Sequence, residues 1–264
     1  MQIDTIVTDL DDTLLNGTAK LGAYTMEIIA EVKRRGIRFI PASGRAASSM
    51  RPFVEQLATS YPYIACNGAQ ILNPDHTEIF SVMFTPQQAR ALVRYFDEKG
   101  FYSQCYKGDY FYYAQPCEAN ERYAAQTGMK GKAVGDLAAF IDFPTPKVLS
   151  LNDPEEVARL YPLIQADFPE ISFTISKPYF LEAEPMGVSK GAAVQKLGEI
   201  LHFAPERTMV FGDSLNDISM FDYTENSVAI ANAREEVKRA ARYTTELPNT
   251  QDGLAHFLAA HVLN

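Results

Sequence analysis

The sequence predicts an α/β fold: a doubly wound, parallel-sheet core interrupted by an inserted α+β domain. Strand and helix patterns alternate singly through the first and last thirds of the 264 residues, which is the signature of parallel βαβ units. The stretch from 82 to 184 reads instead as helices and antiparallel hairpins. Unusual charged and polar residues follow directly on several predicted core strands, where open parallel sheets bind their ligands.

Taken in order, the apolar IDTIVTDL is a strand, and GAYTMEIIAEVKRRG is a helix with Ile28, Ile29 and Val32 at helical spacing and Gly36 able to end it. Strand IRFIPAS, helix SSMRPFVEQLA and strand YIACNGAQIL follow. The last third runs helix SKGAAVQKLGEIL, strand TMVFGD, short helix NDISMFDYT, strand SVAIAN, helix REEVKRAARY and the closing GLAHFLAAHVL. The expected boundaries are 1–81 and 185–264 for the core halves and 82–184 for the insertion.

Within the insertion, helix PQQARALVRYFDEKG precedes FYSQCYKGDYFYYAQ, with Lys107-Gly108-Asp109 as the hairpin turn. KVLSLND, helix PEEVARLYPLIQADF and the strands EISFTIS and YFLEAEP complete it, with Lys177-Pro178 as the second turn. Seven aromatics crowd residues 101 to 114: Phe101, Tyr102, Tyr106, Tyr110, Phe111, Tyr112 and Tyr113. Because successive strand side chains face opposite ways, one set is expected to pack on the helices. Some tyrosines of the other set are expected at a substrate entrance or a domain junction.

Composition narrows the function. With 47% hydrophobic residues the chain has ample material for its cores, and a net charge of −9 argues against nucleic-acid or anionic-membrane partners, which select basic patches. MQIDTIV lacks the basic start and long apolar stretch of a signal peptide, and no stretch approaches the ~20 apolar residues that span a bilayer, so a soluble cytoplasmic protein is expected. Cys66, Cys105 and Cys117 have neither disulfide nor zinc-site spacing.

The segment IVTDLDDTLL sets Asp9, Asp11 and Asp12 at the end of a strand. Singly, such residues are caps or turn formers, and Asp12 is read that way. Asp9 and Asp11 are different, because Asp213 and Asp217 reach the same sheet edge from far along the chain and add to the repulsion. A hard divalent cation such as Mg²⁺ resolves it. Lys190, just after the N-cap candidate Ser189, sits in a first helical turn where the dipole disfavours a cation. Ser43-Gly44-Arg45 after FIPA offers a hydroxyl and backbone N–H groups at a helix start, an anion site. Carboxylates, a cation, a lysine and an anion-binding turn together describe a pocket for a phosphate monoester, with an aspartate as candidate nucleophile.

These segments, DLDDTLL, ASGR, GVSKG and GDSLND, match in order the four motifs of a known family. The chain resembles the haloacid dehalogenase-like superfamily of aspartate-nucleophile phosphatases, in its Cof-type branch. The resemblance implies a Rossmann-like core, a large α/β cap as the insertion, Mg²⁺ as cofactor and a small phosphorylated metabolite as substrate. It implies Asp9 as nucleophile and metal ligand, and Asp11 as general acid then base, lending its backbone carbonyl to the metal. It makes Asp213 a metal ligand with Asp217 in support. Ser43 and Lys190 would hold the phosphoryl group, Gly44 would add backbone contact and Asn216 would approach the phosphate, with Thr13, Arg45 and Asn67 in supporting places. Two positions depart from the pattern: Asp12 and Ala231 each stand where glycine is commoner.

A phosphomutase with the same acid pair is the near alternative, distinguished by need for a bisphosphate activator. A phosphorylatable, non-catalytic regulator resembling a receiver domain is the distant one. It needs neither a second acid two positions on nor an insertion of about a hundred residues.

Overall fold

The computed structural model describes residues 2–264. The first segment contains β1 (Thr5–Thr8), α1 (Ala23–Arg34), β2 (Arg38–Pro41), α2 (Ala47–Leu57), β3 (Tyr63–Ala65), β4 (Gln70–Leu72) and β5 (Glu78–Ser81). The middle contains α3 (Pro86–Glu98), β6 (Ser103–Lys107), β7 (Tyr110–Tyr113), α4 (Glu118–Thr127), β8 (Lys130–Ala133), α5 (Leu137–Phe140), β9 (Val148–Leu151), α6 (Pro154–Asp167), β10 (Ile171–Lys177) and β11 (Phe180–Pro185). The last contains α7 (Lys190–Leu201), β12 (Thr208–Gly212), α8 (Ile218–Phe221), β13 (Ser227–Ala229), α9 (Glu235–Ala240), β14 (Tyr243–Thr244) and α10 (Gly253–His261).

The chain divides into two compact units, one made of the segment up to Gly44 with Met50–Ile79 and Ser189–Asn264, the other of Arg45–Ser49 with Phe80–Val188. In the first unit five strands run parallel in the order β14-β13-β12-β1-β2. The central β1 and β12 are buried along their whole length, as a sheet covered on both faces requires. Their register sets Thr5 against Thr208 and Thr8 against Phe211, so both strands end at the same level.

The structure corrects one sequence expectation here. YIACNGAQIL is not one strand but the hairpin β3–β4, reversed at Cys66–Gly68, where Cys66, Asn67 and Gly68 have φ of 50°, 53° and 103°. Asn67-Gly68 is the turn pair that breaks the run, and reading the stretch as one strand passes over it.

The second unit is a six-stranded sheet in the order β10-β11-β9-β6-β7-β8, antiparallel except for the β7–β8 pair. Lys107 pairs with Tyr110 and Lys177 with Phe180, so the turns are Gly108-Asp109 and Pro178-Tyr179; each lysine predicted in a turn is the last strand residue. One face packs on α3, α5 and α6 through Phe96, Cys105, Val148, Leu160, Ile164 and Leu181. Tyr112 joins that side, 5.0 Å from the Phe140 ring. Phe111, on the opposite face, meets Tyr123 of α4 at 5.0 Å, and Tyr113 lies 5.6 Å from Phe111. Phe111, Tyr112 and Tyr113 thus each have an aromatic partner within the unit, while Tyr110 and Tyr112 stay partly exposed.

That second face also holds a buried ion pair. Lys147, 2% exposed, donates to Glu182 Oε2 at 3.0 Å, and Ser176 donates to Oε1 at 2.6 Å. Burial raises the Glu182 carboxyl, but the Lys147 charge and the Ser176 hydroxyl outweigh it and hold the group below the ordinary glutamate value. Replacing Lys147 by Met strands this carboxylate beside the buried Glu184 and should lower the unfolding free energy by roughly 3–5 kcal/mol at neutral pH. Since the folded pKa is depressed, the pair's contribution is complete above the unfolded glutamate pKa and fades as pH falls through the folded value. Urea titrations should therefore show the gap between Lys147→Met and wild type narrowing toward acid pH; a pH-independent gap would contradict this origin.

Candidate active site

The ladder of β1 continues one residue past the strand, where Asp9 N donates to Phe211 O at 3.0 Å, so the Asp9 carboxylate stands at the carboxyl edge of the sheet. The chain then makes one wide turn over Leu10–Leu14, closed by Leu15 N donating to Leu10 O at 2.8 Å. Asp11 is extended within it (φ −73°, ψ 128°), and Asp12 is left-handed (φ 60°, ψ 6°). The Asp12 conformation explains why glycine serves well there and why aspartate, which tolerates this region, replaces it. The turn-former reading of Asp12 holds.

Next to β1, β12 delivers Asp213 and the turn that carries Asp217. Asp217 Oδ2 accepts from the backbone N–H groups of Asp213 and Ser214, each at 2.9 Å, which fixes this carboxylate with its Oδ1 free to turn inward. Thr13 ties the two loops together by donating to Asp213 Oδ1 at 2.7 Å. One carboxylate oxygen each from Asp9, Asp213 and Asp217 lie within 4.8 Å of one another, and all three residues are buried.

Lys190 completes the group. Ser189 is the N-cap of α7, its hydroxyl accepting from Ala192 N at 3.1 Å, and Lys190 is the first helical residue. Its Nζ donates to Asp9 Oδ1 at 2.5 Å and Asp217 Oδ1 at 2.6 Å, with 1% of the residue exposed. Three carboxylates against one ammonium leave the buried group at −2 when all are ionised. The consequence appears in the acidities. Burial lifts Asp9 well above the usual carboxylate range despite Lys190, and lifts Asp213, with the Asp217 charge beside it, to about 7. Burial depresses Lys190, but Asp217 and Asp9 outweigh it and hold the ammonium charged. An all-oxygen, doubly negative, buried donor set suits a hard divalent cation.

Ser43, 1% exposed, follows β2, donates its N–H to Ile64 O at 2.9 Å and accepts from Asn67 N at 3.0 Å. Asn67 is the junction of this side: its Oδ1 accepts from Asn216 Nδ2 at 2.9 Å, and it lies so close to Gly44 that a Cβ there would fall 2.8 Å from Oδ1. The hairpin turn thus links the loop after β2 to the loop after β12. Asn216 Oδ1 is buried and has no hydrogen-bond partner among the described residues. Arg45 is engaged differently, donating to Ser49 Oγ at 3.1 Å within the second unit.

Sequence reasoning missed two residues that hold the Asp11 turn. Asn232 Nδ2 donates to Asp12 O at 2.8 Å, and Asn249 Nδ2 donates to Leu15 O at 2.9 Å. Ala231, the second departure, is used through its backbone: its N–H donates to Thr245 Oγ1 at 2.9 Å, and it is absent from the described non-glycine residues of positive φ. A side chain there is tolerated.

Comparisons with known proteins identify the family and the fold. The model of the haloacid dehalogenase-like hydrolases matches residues 6–258, and the chain belongs to that family. It is 27% identical to a Haemophilus influenzae relative over 98% of both chains. It is 26% identical, over 96% of both, to YwtE of Bacillus subtilis, a 5-amino-6-(5-phospho-D-ribitylamino)uracil phosphatase. Among solved structures, TM0651 of Thermotoga maritima superposes with a TM-score of 0.87 at 28% identity, covering 98% of this chain and 97% of its own. A haloacid dehalogenase-like hydrolase from Bacteroides thetaiotaomicron does so at 0.90 and 26%, covering 98% and 99%. Among the described residues no helix is long and apolar enough to cross a membrane.

Gly68 offers a direct test of how the site is assembled. At φ 103° it passes so close to α7 that a Cβ would sit 2.3 Å from the Ser189 carbonyl oxygen, next to Lys190. Gly68→Ala should cost roughly 1–3 kcal/mol in backbone strain alone, with further loss from the displaced helix start. Thermal melts should show it clearly less stable than Gly36→Ala, which has the same positive φ requirement but open space around it.

Proposed function

We propose that this protein is a Mg²⁺-dependent phosphatase that hydrolyses phosphate monoesters of small metabolites through an aspartyl-phosphate on Asp9. The observation that carries the proposal is the buried group of Asp9, Asp213 and Asp217 with Lys190 at the carboxyl ends of β1 and β12. Such a group needs further positive charge, which a divalent metal ion would supply. Asp9, Asp213 and the Asp11 carbonyl would hold the ion, with Asp217 in support. When bound, it neutralises charge on the phosphoryl oxygens.

In this reading an Asp9 carboxylate oxygen attacks phosphorus as the ester P–O bond breaks, and Asp11 gives its proton to the departing oxygen. Asp11, now a carboxylate, takes a proton from the water that attacks the aspartyl-phosphate, and the Asp9–phosphorus link breaks to release inorganic phosphate. Lys190, Ser43 and the Gly44 backbone hold phosphoryl oxygens, and Asn216 approaches them through the amide that Asn67 orients. Thr13 steadies Asp213, and Arg45 stands at the start of the second unit. For substrate class, support comes from a structural neighbour named as a sugar phosphatase, which shares the fold at a TM-score of 0.84, and from the YwtE substrate, itself a phosphorylated polyol derivative. A sugar phosphate or a similar polyhydroxylated monoester is the substrate proposed.

Phosphate release should need Mg²⁺ and disappear with a chelator, and Asp9→Asn should lower kcat by at least roughly 10⁴ because an amide is a poor nucleophile. Metal-independent turnover, or an active Asp9→Asn protein, would sink the assignment. Asp11→Asn keeps its backbone carbonyl, so calorimetry should find Mg²⁺ affinity nearly unchanged while turnover drops by ~10² to 10⁴. Parallel loss of metal affinity would refute the division of roles.

A further inference from the structure

We infer that Asn232 and Asn249 form a carboxamide clamp that positions Asp11 for proton transfer to the leaving group, an inference that rests on the acid role proposed above. Asp11 differs from the other acids. Asp9, Asp213 and Asp217 are buried together and share Lys190 or Thr13, whereas Asp11 is only partly buried and lies outside their oxygen cluster. The backbone that carries it is a turn held from outside the carboxylate group. That turn is closed at its base by the Leu15 N to Leu10 O bond, and its far side carries the left-handed Asp12.

The clamp grips this turn at two carbonyls. Asn232 Nδ2 donates to Asp12 O at 2.8 Å and Asn249 Nδ2 to Leu15 O at 2.9 Å. The two asparagines are themselves joined, because Asn249 N donates to Asn232 Oδ1 at 2.9 Å. Asn249 is buried, 6% exposed, whereas Asn232 is exposed and is held through its bond to Asn249 and through Ala231, whose N–H donates to Thr245 Oγ1. Asp12 O belongs to the peptide that immediately follows the Asp11–Asp12 pair. Rotation of that peptide changes Asp12 ψ and tilts the whole turn, so its hydrogen bond to Asn232 fixes the direction in which the Asp11 carboxyl points. The side-chain hydrogen bonds of Asn232 go to Asp12 O and Asn249 N, so it would act on Asp11 only through the turn, as a positioning residue.

A misplaced acid matters in proportion to how badly the leaving oxygen needs a proton. The two esters to compare are p-nitrophenyl phosphate, whose phenoxide departs easily, and phenyl phosphate, of similar size but more basic leaving group. The ratio of their kcat/KM values reports the first phosphoryl transfer and leaves out the later hydrolysis step. With the full-length protein and Mg²⁺, Asn232→Ala should lower kcat/KM for phenyl phosphate at least about fivefold more than for p-nitrophenyl phosphate. Asn232→Asp, which keeps the acceptor for Asn249 but loses the donor to Asp12, should show the same selective loss. Asp11→Asn is the reference and should show the pattern most strongly.

The outcomes separate cleanly. If Asp11→Asn loses equally on both esters, the acid role fails and the clamp inference with it. If Asp11→Asn is selective but the Asn232 variants lose equally on both esters, or only in step with their thermal stability, the clamp is structural and the inference is overturned. A wild-type ratio in Asn232→Asp likewise overturns the assignment to the Asp12 carbonyl.

Discussion

The site depends on one ammonium group shared by two buried carboxylates. Lys190 lies at the start of α7, where the helix dipole opposes it, and in an interior where each charge alone carries a penalty of several kcal/mol. What makes the position tenable is the geometry around it: Asp9 and Asp217 meet Nζ at 2.5 and 2.6 Å, and two backbone N–H groups hold the other oxygen of Asp217. The exchange is incomplete, since Asp213 adds a third carboxylate, bonded by the Thr13 hydroxyl and the more distant Ser214 hydroxyl, to the single Lys190 charge. A local rule is broken and the imbalance is kept, which is the pattern of a functional site.

Bringing these groups together takes nearly the whole chain. Asp9 and Asp213 are neighbours because β1 and β12 pair in register, although about two hundred residues separate them, and the entire second unit lies between. The core sheet takes strands from both sides of that insertion and none from within it. Loop-closure entropy rises only by about 0.6 kcal/mol for each doubling of a loop, so a long insertion between paired strands is tolerated, all the more when it folds on a core of its own. The expected price is speed, since contacts of such long range form late.

Much of this was legible. Strand, helix and hairpin patterns lead to both units, carboxylates just past strand ends lead to Asp9 and Asp213, and a cation in a first helical turn leads to Lys190. What escaped has a common cause. Cys66 and Asn67 reverse the chain with positive φ in a run that reads as a strand, and Asn232 and Asn249 act by bonding backbone carbonyls, a use open to any loop asparagine. Lys147 and Glu182 are invisible as a pair because their contact depends on the β9–β11 register. Arg45, two residues after Ser43, has one of its bonds to Ser49, one helical turn on, a contact that the sequence does not single out.

The two ways of holding acids in this site have different responses to charge. Asp9, Asp213 and Asp217 are arranged by Coulombic forces, so their balance shifts whenever a cation or a phosphate dianion arrives or departs. The turn that carries Asp11 is held by neutral carboxamides on backbone carbonyls, whose strength changes little with the charge nearby. In the proposed mechanism Asp11 would give a proton in one step and take one in the next, and so would meet two different charge states of the same pocket. Fixing its turn through uncharged bonds keeps its position constant across both, while the buried carboxylates remain free to respond to what binds.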